Sequence, residues 1–359
     1  MQNSLSPSLL QHLHSGCVIP AHPLALHEDL SIDEQRQRLL TRYYIAAGAG
    51  GVAVGVHTTQ FEIRKPEINL LSTVLSCASE EIDKANLNRP FLKIAGICGP
   101  TNQALTEAEL AIVHGYHLGL LSMGGLNNYT EDEILIRTKE VTKLIPVFGF
   151  YLQPSVGGRI FSYDFWSEFV NIPNVLAIKV AAFNRYQTID VVRAICMSER
   201  RNEIALYTGN DDNIVADLIT PYRFTINGQL LEKRFVGGLL GHWAVWTQKA
   251  VELLTEIKAG IKNNEIQTFL TKGIDVTDAN AAFFDVAHQF KGCIPGIHEV
   301  LRRQRIFEGT WCLNPDETLS PGQINEIDRV YTAYPSYNDD DFVKHFLKMD
   351  KKIQGGKIK

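Results

Sequence analysis

The six cysteines (Cys17, Cys77, Cys98, Cys196, Cys293 and Cys312) form no Cys-x-x-Cys pair in a chain of 359 residues. That scatter argues against a structural zinc site and a disulfide framework, and fits thiols in a reducing compartment. No apolar run approaches the ~20 residues needed to span a bilayer. Residues 1–16 lack a cationic start followed by an apolar core. No signal peptide is therefore expected, and a cytoplasmic location is. With a net charge of −5 there is no basic excess to suggest nucleic acid or an anionic membrane as partner. Also missing are a Gly-x-Gly-x-x-Gly after an early strand, a Gly-x-Ser-x-Gly elbow and a Walker-type loop. Their absence disfavours an open dinucleotide-binding sheet, the serine-hydrolase elbow and phosphate-loop chemistry.

What is present is a beat. With 45% hydrophobic residues the chain can bury a large core. Eight short apolar runs stand out: Cys17–Ala21, Val52–Val56, Phe91–Ile97, Leu118–Met123, Ile145–Tyr151, Val175–Ala181, Ile204–Thr208 and Arg234–Leu240. From the third onward they start at 91, 118, 145, 175, 204 and 234, so 27 to 30 residues apart. One strand, one helix and two short loops fill that length. Thr106 and Thr130, each followed by acids, are expected to cap intervening helices. The pattern predicts an α/β fold, a (β/α)8 TIM barrel with a C-terminal helical extension. The expected divisions are an N-terminal extension over 1–16, the barrel over 17–265, a helical region over 266–345 and a flexible tail over 346–359. His242–Ile261, Ala279–Gln289, Ile297–Arg305 and Pro321–Tyr334 read as helices.

In such a barrel the chemistry lies at the C-terminal strand ends. The sixth run carries Lys179 among apolar residues. Burying a charged amine is costly, so a lysine there suggests a low-pKa amine suited to Schiff-base chemistry with a carbonyl compound. Tyr151 lies one unit earlier, 28 residues before Lys179. It is expected to share the mouth as a proton shuttle. Thr58 and Thr59 end the second strand as hydroxyls able to hold a carboxylate or relay protons. His57, Gly209, Asn210 and Asp211 are expected to line the substrate site. His22, His57, His242 and Asp211 or Asp212 show no metal-ligand spacing, so no metal is expected.

Several segments together resemble the dihydrodipicolinate synthase / N-acetylneuraminate lyase family. Gly50 to Thr59 is similar to its apolar strand ending in Thr-Thr, and Ala95 to Thr101 to its third strand end. Phe150 to Ser155 looks like its Tyr-Asn-x-Pro segment. Val175 to Lys179 looks like its Ile-Lys strand, and Tyr207 to Asp212 like its Ser-Gly-Asp-Asp turn. The resemblance implies a class I aldolase or lyase. In it Lys179 condenses with pyruvate or a related 2-oxo acid, Tyr151 shuttles protons, and Thr58 and Thr59 bind the carboxylate. It implies no cofactor beyond that covalent Schiff base, an aldehyde as second partner, and a homodimer or homotetramer. Gln60, Phe61, Gly125 and Val156 depart from the pattern, which argues against the synthase reaction itself. A dehydratase or hydrolase of a 2-oxo sugar acid through the same lysine, or an inactive metabolite-binding member, are the alternatives.

Overall fold

The computed structural model describes residues 4–263 and 265–355. Among the described residues ten strands occur: β1 Val18–Pro20, β2 Gly51–Val54, β3 Leu92–Ile97, β4 Leu118–Leu121, β5 Val147–Leu152, β6 Val175–Ala181, β7 Ala205–Thr208, β8 Tyr222–Ile226, β9 Gln229–Lys233 and β10 Gly237–Leu240. All eight expected runs contain strands. They form one parallel sheet in the order β1-β10-β7-β6-β5-β4-β3-β2. The two edges meet. Ala21 bridges Ala53 in parallel, and the His22 N–H donates to the Ala53 carbonyl at 2.8 Å. This seam closes the sheet into a (β/α)8 barrel and satisfies backbone groups that an open edge would leave bare.

The barrel has two cores because parallel strands bury both faces. Phe148, Phe150, Leu152, Ala177 and Ala181 fill the interior, while a larger cluster packs between the sheet and the helices. The expected N-terminal extension is a helix, Pro7–Ser15, capped by Ser6. Its Leu13 is fully buried against the interior cluster, and the Leu13 carbonyl accepts from the Tyr207 hydroxyl at 2.8 Å. It therefore stoppers the N-terminal end of the barrel.

Several expectations are corrected. Thr130 does cap its helix, in a reciprocal box with Glu133, worth about 1 kcal/mol. Thr106 does not. Its helix begins at Thr101, and the Thr106 hydroxyl donates back to the Asn102 carbonyl. The stretch from His242 splits into a short turn, His242–Ala244, and the helix Thr247–Asn263. The antiparallel hairpin β8–β9 was not anticipated. Its signal was Asn227-Gly228, both at positive φ (50° and 78°), as a two-residue primed turn demands.

The tail from 346 is not loose over its first eight residues. The helix Asp340–Ile353 packs Val343 and Phe346 inward. Asp350, 4% exposed, takes a two-pronged ion pair from Arg42 at 2.7 and 3.0 Å. Residues 356–359 lie outside the described residues. The expected helix over Ala279–Gln289 ends at Phe283, giving Thr268–Phe283, a turn at Val286–His288, and then Cys293–Arg303. No helix among the described residues is long and apolar enough to cross a membrane.

Candidate active site

Lys179 emerges from β6 into a cavity of about 50 Å³ at the barrel mouth. That is room for on the order of three or four waters, the scale of a small acid. The side chain is 7% exposed. Among the described residues its Nζ has no hydrogen bond or ion pair; it stands 4.4 Å from the Phe150 ring centroid. Its methylenes lie over β7, where Gly209 leaves room. A Cβ at 209 would come within 2.4 Å of Lys179 Cε and 2.9 Å of the Ala181 Cβ.

Burial lowers the Lys179 pKa to about 8, and the nearby Asp211 carboxylate only partly opposes this. Asp211 lines the same cavity, with its Oδ1 accepting from the His242 N–H at 2.9 Å. Burial raises its pKa well above the carboxylate range, against the pull of that hydrogen bond and of Lys179. Both groups are thus pushed toward their neutral forms, as desolvation requires. His57 is likewise lowered, to about 4, by burial first and by Lys179 second, so it stands as a neutral imidazole at physiological pH. Thr58 offers a buried hydroxyl with no hydrogen-bond partner among the described residues. A buried unpaired hydroxyl is costly, and this one borders the lysine's cavity.

Five of the eight expected residues therefore converge: Lys179, His57, Thr58, Gly209 and Asp211. Three do not. Tyr151 points outward, packed on Trp166 and Phe161 with centroids 5.0 and 6.0 Å away, its hydroxyl accepting from the Phe161 N–H at 3.5 Å. The cause is one residue. Val147 pairs with Val175, but Phe148 pairs with Ala177, leaving Leu176 as a bulge. An unbroken register would set Tyr151 opposite Lys179; the bulge sets Phe150 there instead. A one-residue slip exchanges the two faces of a strand.

Thr59 is the second correction. Its hydroxyl donates to the His22 carbonyl at 2.6 Å and accepts from the Gly55 and Val56 N–H groups. It ties β2 to the barrel seam and has no donor left for a ligand. Asn210 is the third. Its amide donates to Asp217 and Thr188, and its Oδ1 accepts from the Phe183 N–H at 3.0 Å. It stands behind the wall and holds the Phe183 loop.

The unanticipated lining is mostly apolar. Phe150, Leu152, Gln153, Val156 and Phe183 come from the barrel, and Phe284, Phe290 and Cys293 from the C-terminal region. The expected helical appendage thus supplies part of the mouth. The Phe284 ring presses on the end of β10, where a Cβ at Gly241 would come within 2.8 Å of it. Phe150 was recoverable only from the register. The C-terminal phenylalanines carried no signal, because nothing local reports which distant surface a helix covers. Gln60 is buried outside the cavity, with positive φ (67°), and its Oε1 accepts from the Leu313 N–H at 2.6 Å. It locks the end of β2 to the C-terminal region. Among the remaining histidines, His22 is held in the core by Thr41 and Gln37.

The backbone is similar to that of several solved enzymes. N-acetylneuraminate lyase from Fusobacterium nucleatum, complexed with pyruvate, aligns at a TM-score of 0.68 and 17% identity over 90% of this chain and 98% of that one. Dihydrodipicolinate synthase from Bacillus clausii aligns at 0.72 and 17% over 91% and 99%. A Clostridium difficile protein, CdNal, in complex with mannosamine, aligns at 0.69 and 16% over 89% and 99%. No family model matches the chain, and no curated protein is similar to it in sequence. At this identity the likeness establishes the shared fold.

Proposed function

We propose that the chain is a lyase of the class I aldolase type, in which Lys179 forms a Schiff base with pyruvate or a related 2-oxo acid. One observation carries the reading. Among the described residues, a buried amine without a bonded partner shares a cavity at the barrel mouth with an unpaired hydroxyl, Thr58, and a carboxyl, Asp211. The likeness to a lyase crystallised with pyruvate supports the same choice of acid.

In this reading the neutral Lys179 amine adds to the C2 carbonyl, and Thr58 donates to the acid's carboxylate. Loss of the C2 hydroxyl as water requires a proton. Asp211, held in its protonated form by burial, supplies it. The resulting carboxylate then takes a proton from C3, leaving an enamine whose electrons were drawn by the iminium. The protein thus makes its own electron sink, and no metal or organic cofactor is required. Tyr151 has no part in the step, since its hydroxyl is on the helix side of the sheet.

Incubation with a panel of 2-oxo acids, borohydride reduction and peptide mass spectrometry tests this directly. The expected result is one reduced adduct, on Lys179; its absence across the panel would sink the proposal. The outward Tyr151 favours one second reading, a chain that binds the acid without turnover. It predicts the adduct and no product.

A further inference from the structure

The enamine needs a partner, and the cavity wall limits its chemistry. We infer that the second compound is an apolar aldehyde, aromatic or branched aliphatic, and not a polyhydroxylated sugar or a carboxylated aldehyde. This rests on the Schiff-base reading above.

Away from His57, Thr58, Asp211 and the single amide of Gln153, the wall is mainly apolar, with Phe150, Leu152, Val156, Phe183, Phe284 and Phe290 as its large side chains. Lys179 is the one cation among the described lining residues, and the first substrate occupies it. A carboxylated aldehyde would have no cation to meet. A sugar would set several hydroxyls against rings, each at a cost of roughly 1–3 kcal/mol when unpaired.

The rings are held in place by the backbone. Phe183 and Phe290 both have positive φ, 49° and 67°. Residues with side chains seldom adopt this conformation unless their surroundings enforce it. Here the Asn210 side chain takes the Phe183 N–H. The Asp285 carboxylate accepts from the Gly292 N–H and the Ser320 hydroxyl, closing the Phe290 loop between Asp285 and Gly292. The Gln323 amide donates to the carbonyls of Ala282, Phe283 and Gly292. The two rings meet edge to face with centroids 5.9 Å apart. A wall set in advance loses little entropy on binding and selects by shape and polarity.

The addition balances without an oxidant. C3 of the enamine bonds to the aldehyde carbon, and the aldehyde oxygen takes a proton. Water then adds to the imine carbon, the C–N bond breaks, and Lys179 is freed with a 4-hydroxy-2-oxo acid.

The test uses the intact chain in two stages. Borohydride trapping with pyruvate first reports the Schiff base. Pyruvate with each of benzaldehyde, isobutyraldehyde, N-acetylmannosamine, glyceraldehyde and aspartate semialdehyde then reports carbon–carbon bond formation by mass spectrometry. The expected result is an adduct, with kcat/KM for the two apolar aldehydes higher by about tenfold or more, the scale of burying one such group. An adduct with equal or greater rates for the polar aldehydes, or with no aldehyde consumed, overturns this inference and leaves the Schiff-base reading standing. No adduct with any 2-oxo acid overturns both.

Discussion

Replacing Gly209 with alanine sets a methyl group against the Lys179 side chain. The new carbon would stand 2.4 Å from Cε and 2.9 Å from Cγ. Ordinary carbon contacts begin near ~3.4 Å, so Cε must retreat by about 1 Å. Ala181, whose Cβ would be 2.9 Å away, closes the other side. A displacement of that size at a reacting atom costs on the order of 10²-fold in rate. The stability cost is smaller. Overpacking here is worth about 1–3 kcal/mol, and the lysine's flexible stem absorbs part of it. The assay is the initial rate of borohydride-trappable adduct with pyruvate, beside a thermal melt. The expected outcome is a rate lower by about two orders of magnitude with Tm lowered by only a few degrees. A Gly209→Ala protein that traps at the normal rate would refute the placement of the amine over β7. A protein that no longer folds would refute the division of the cost between rate and stability.

Lys179 has its pKa lowered to about 8, with burial outweighing Asp211. The neutral amine is the nucleophile, and at pH 7 about a tenth of it is neutral, against about 0.03% for an ordinary lysine. Adduct formation should therefore rise with pH as the amine loses its proton and fall again as Asp211, the acid that expels water, loses its own, giving a bell-shaped profile near neutral pH; a rate still climbing near pH 10 would mark an unperturbed lysine. Asp211→Asn is expected to slow adduct formation by about 10²–10⁴-fold, whereas Tyr151→Phe, which loses one long hydrogen bond on the far side of the sheet, stays within about twofold. The reverse order in the same trapping assay would show that β5 and β6 do not pair in the bulged register. Asp350→Ala removes both prongs of the Arg42 ion pair. It should destabilise the fold by about 2 kcal/mol in denaturant melts, and hydrogen exchange should rise in the helix Asp340–Ile353. Unchanged exchange would mean that this ion pair does not hold the helix.

The barrel was readable because its cause is local and repeated. Each unit needs an apolar run, a helix and two short loops, and that demand recurs in the spacing whatever the side chains are. Strand ends follow from the runs, so Lys179, Asp211, Gly209 and the His57–Thr58 pair could be set at one mouth. Reading deeper required parity. Tyr151 and Lys179 occupy equivalent places in the chain, yet the bulge at Leu176 turns one of them away. A strand's pattern cannot announce a bulge when both of its faces are apolar, since slipping the register leaves the pattern unchanged. Thr59 failed for another reason. A hydroxyl serves a ligand or the backbone equally well, and only the closure of β1 against β2 decides which.

By itself, then, the sequence determined the repeat, the eight strands of the barrel and the end of the barrel where a buried lysine would lie. These are consequences of composition and periodicity. Only the tertiary structure decided the company that lysine keeps. Phe150 replaced Tyr151 through a pairing register, Asp211 became its neighbour and was pushed toward the neutral acid by burial, and Phe284 and Phe290 reached the mouth from loops more than a hundred residues away in the chain. Such contacts depend on which surfaces exclude water together, and that is a property of the folded chain as a whole.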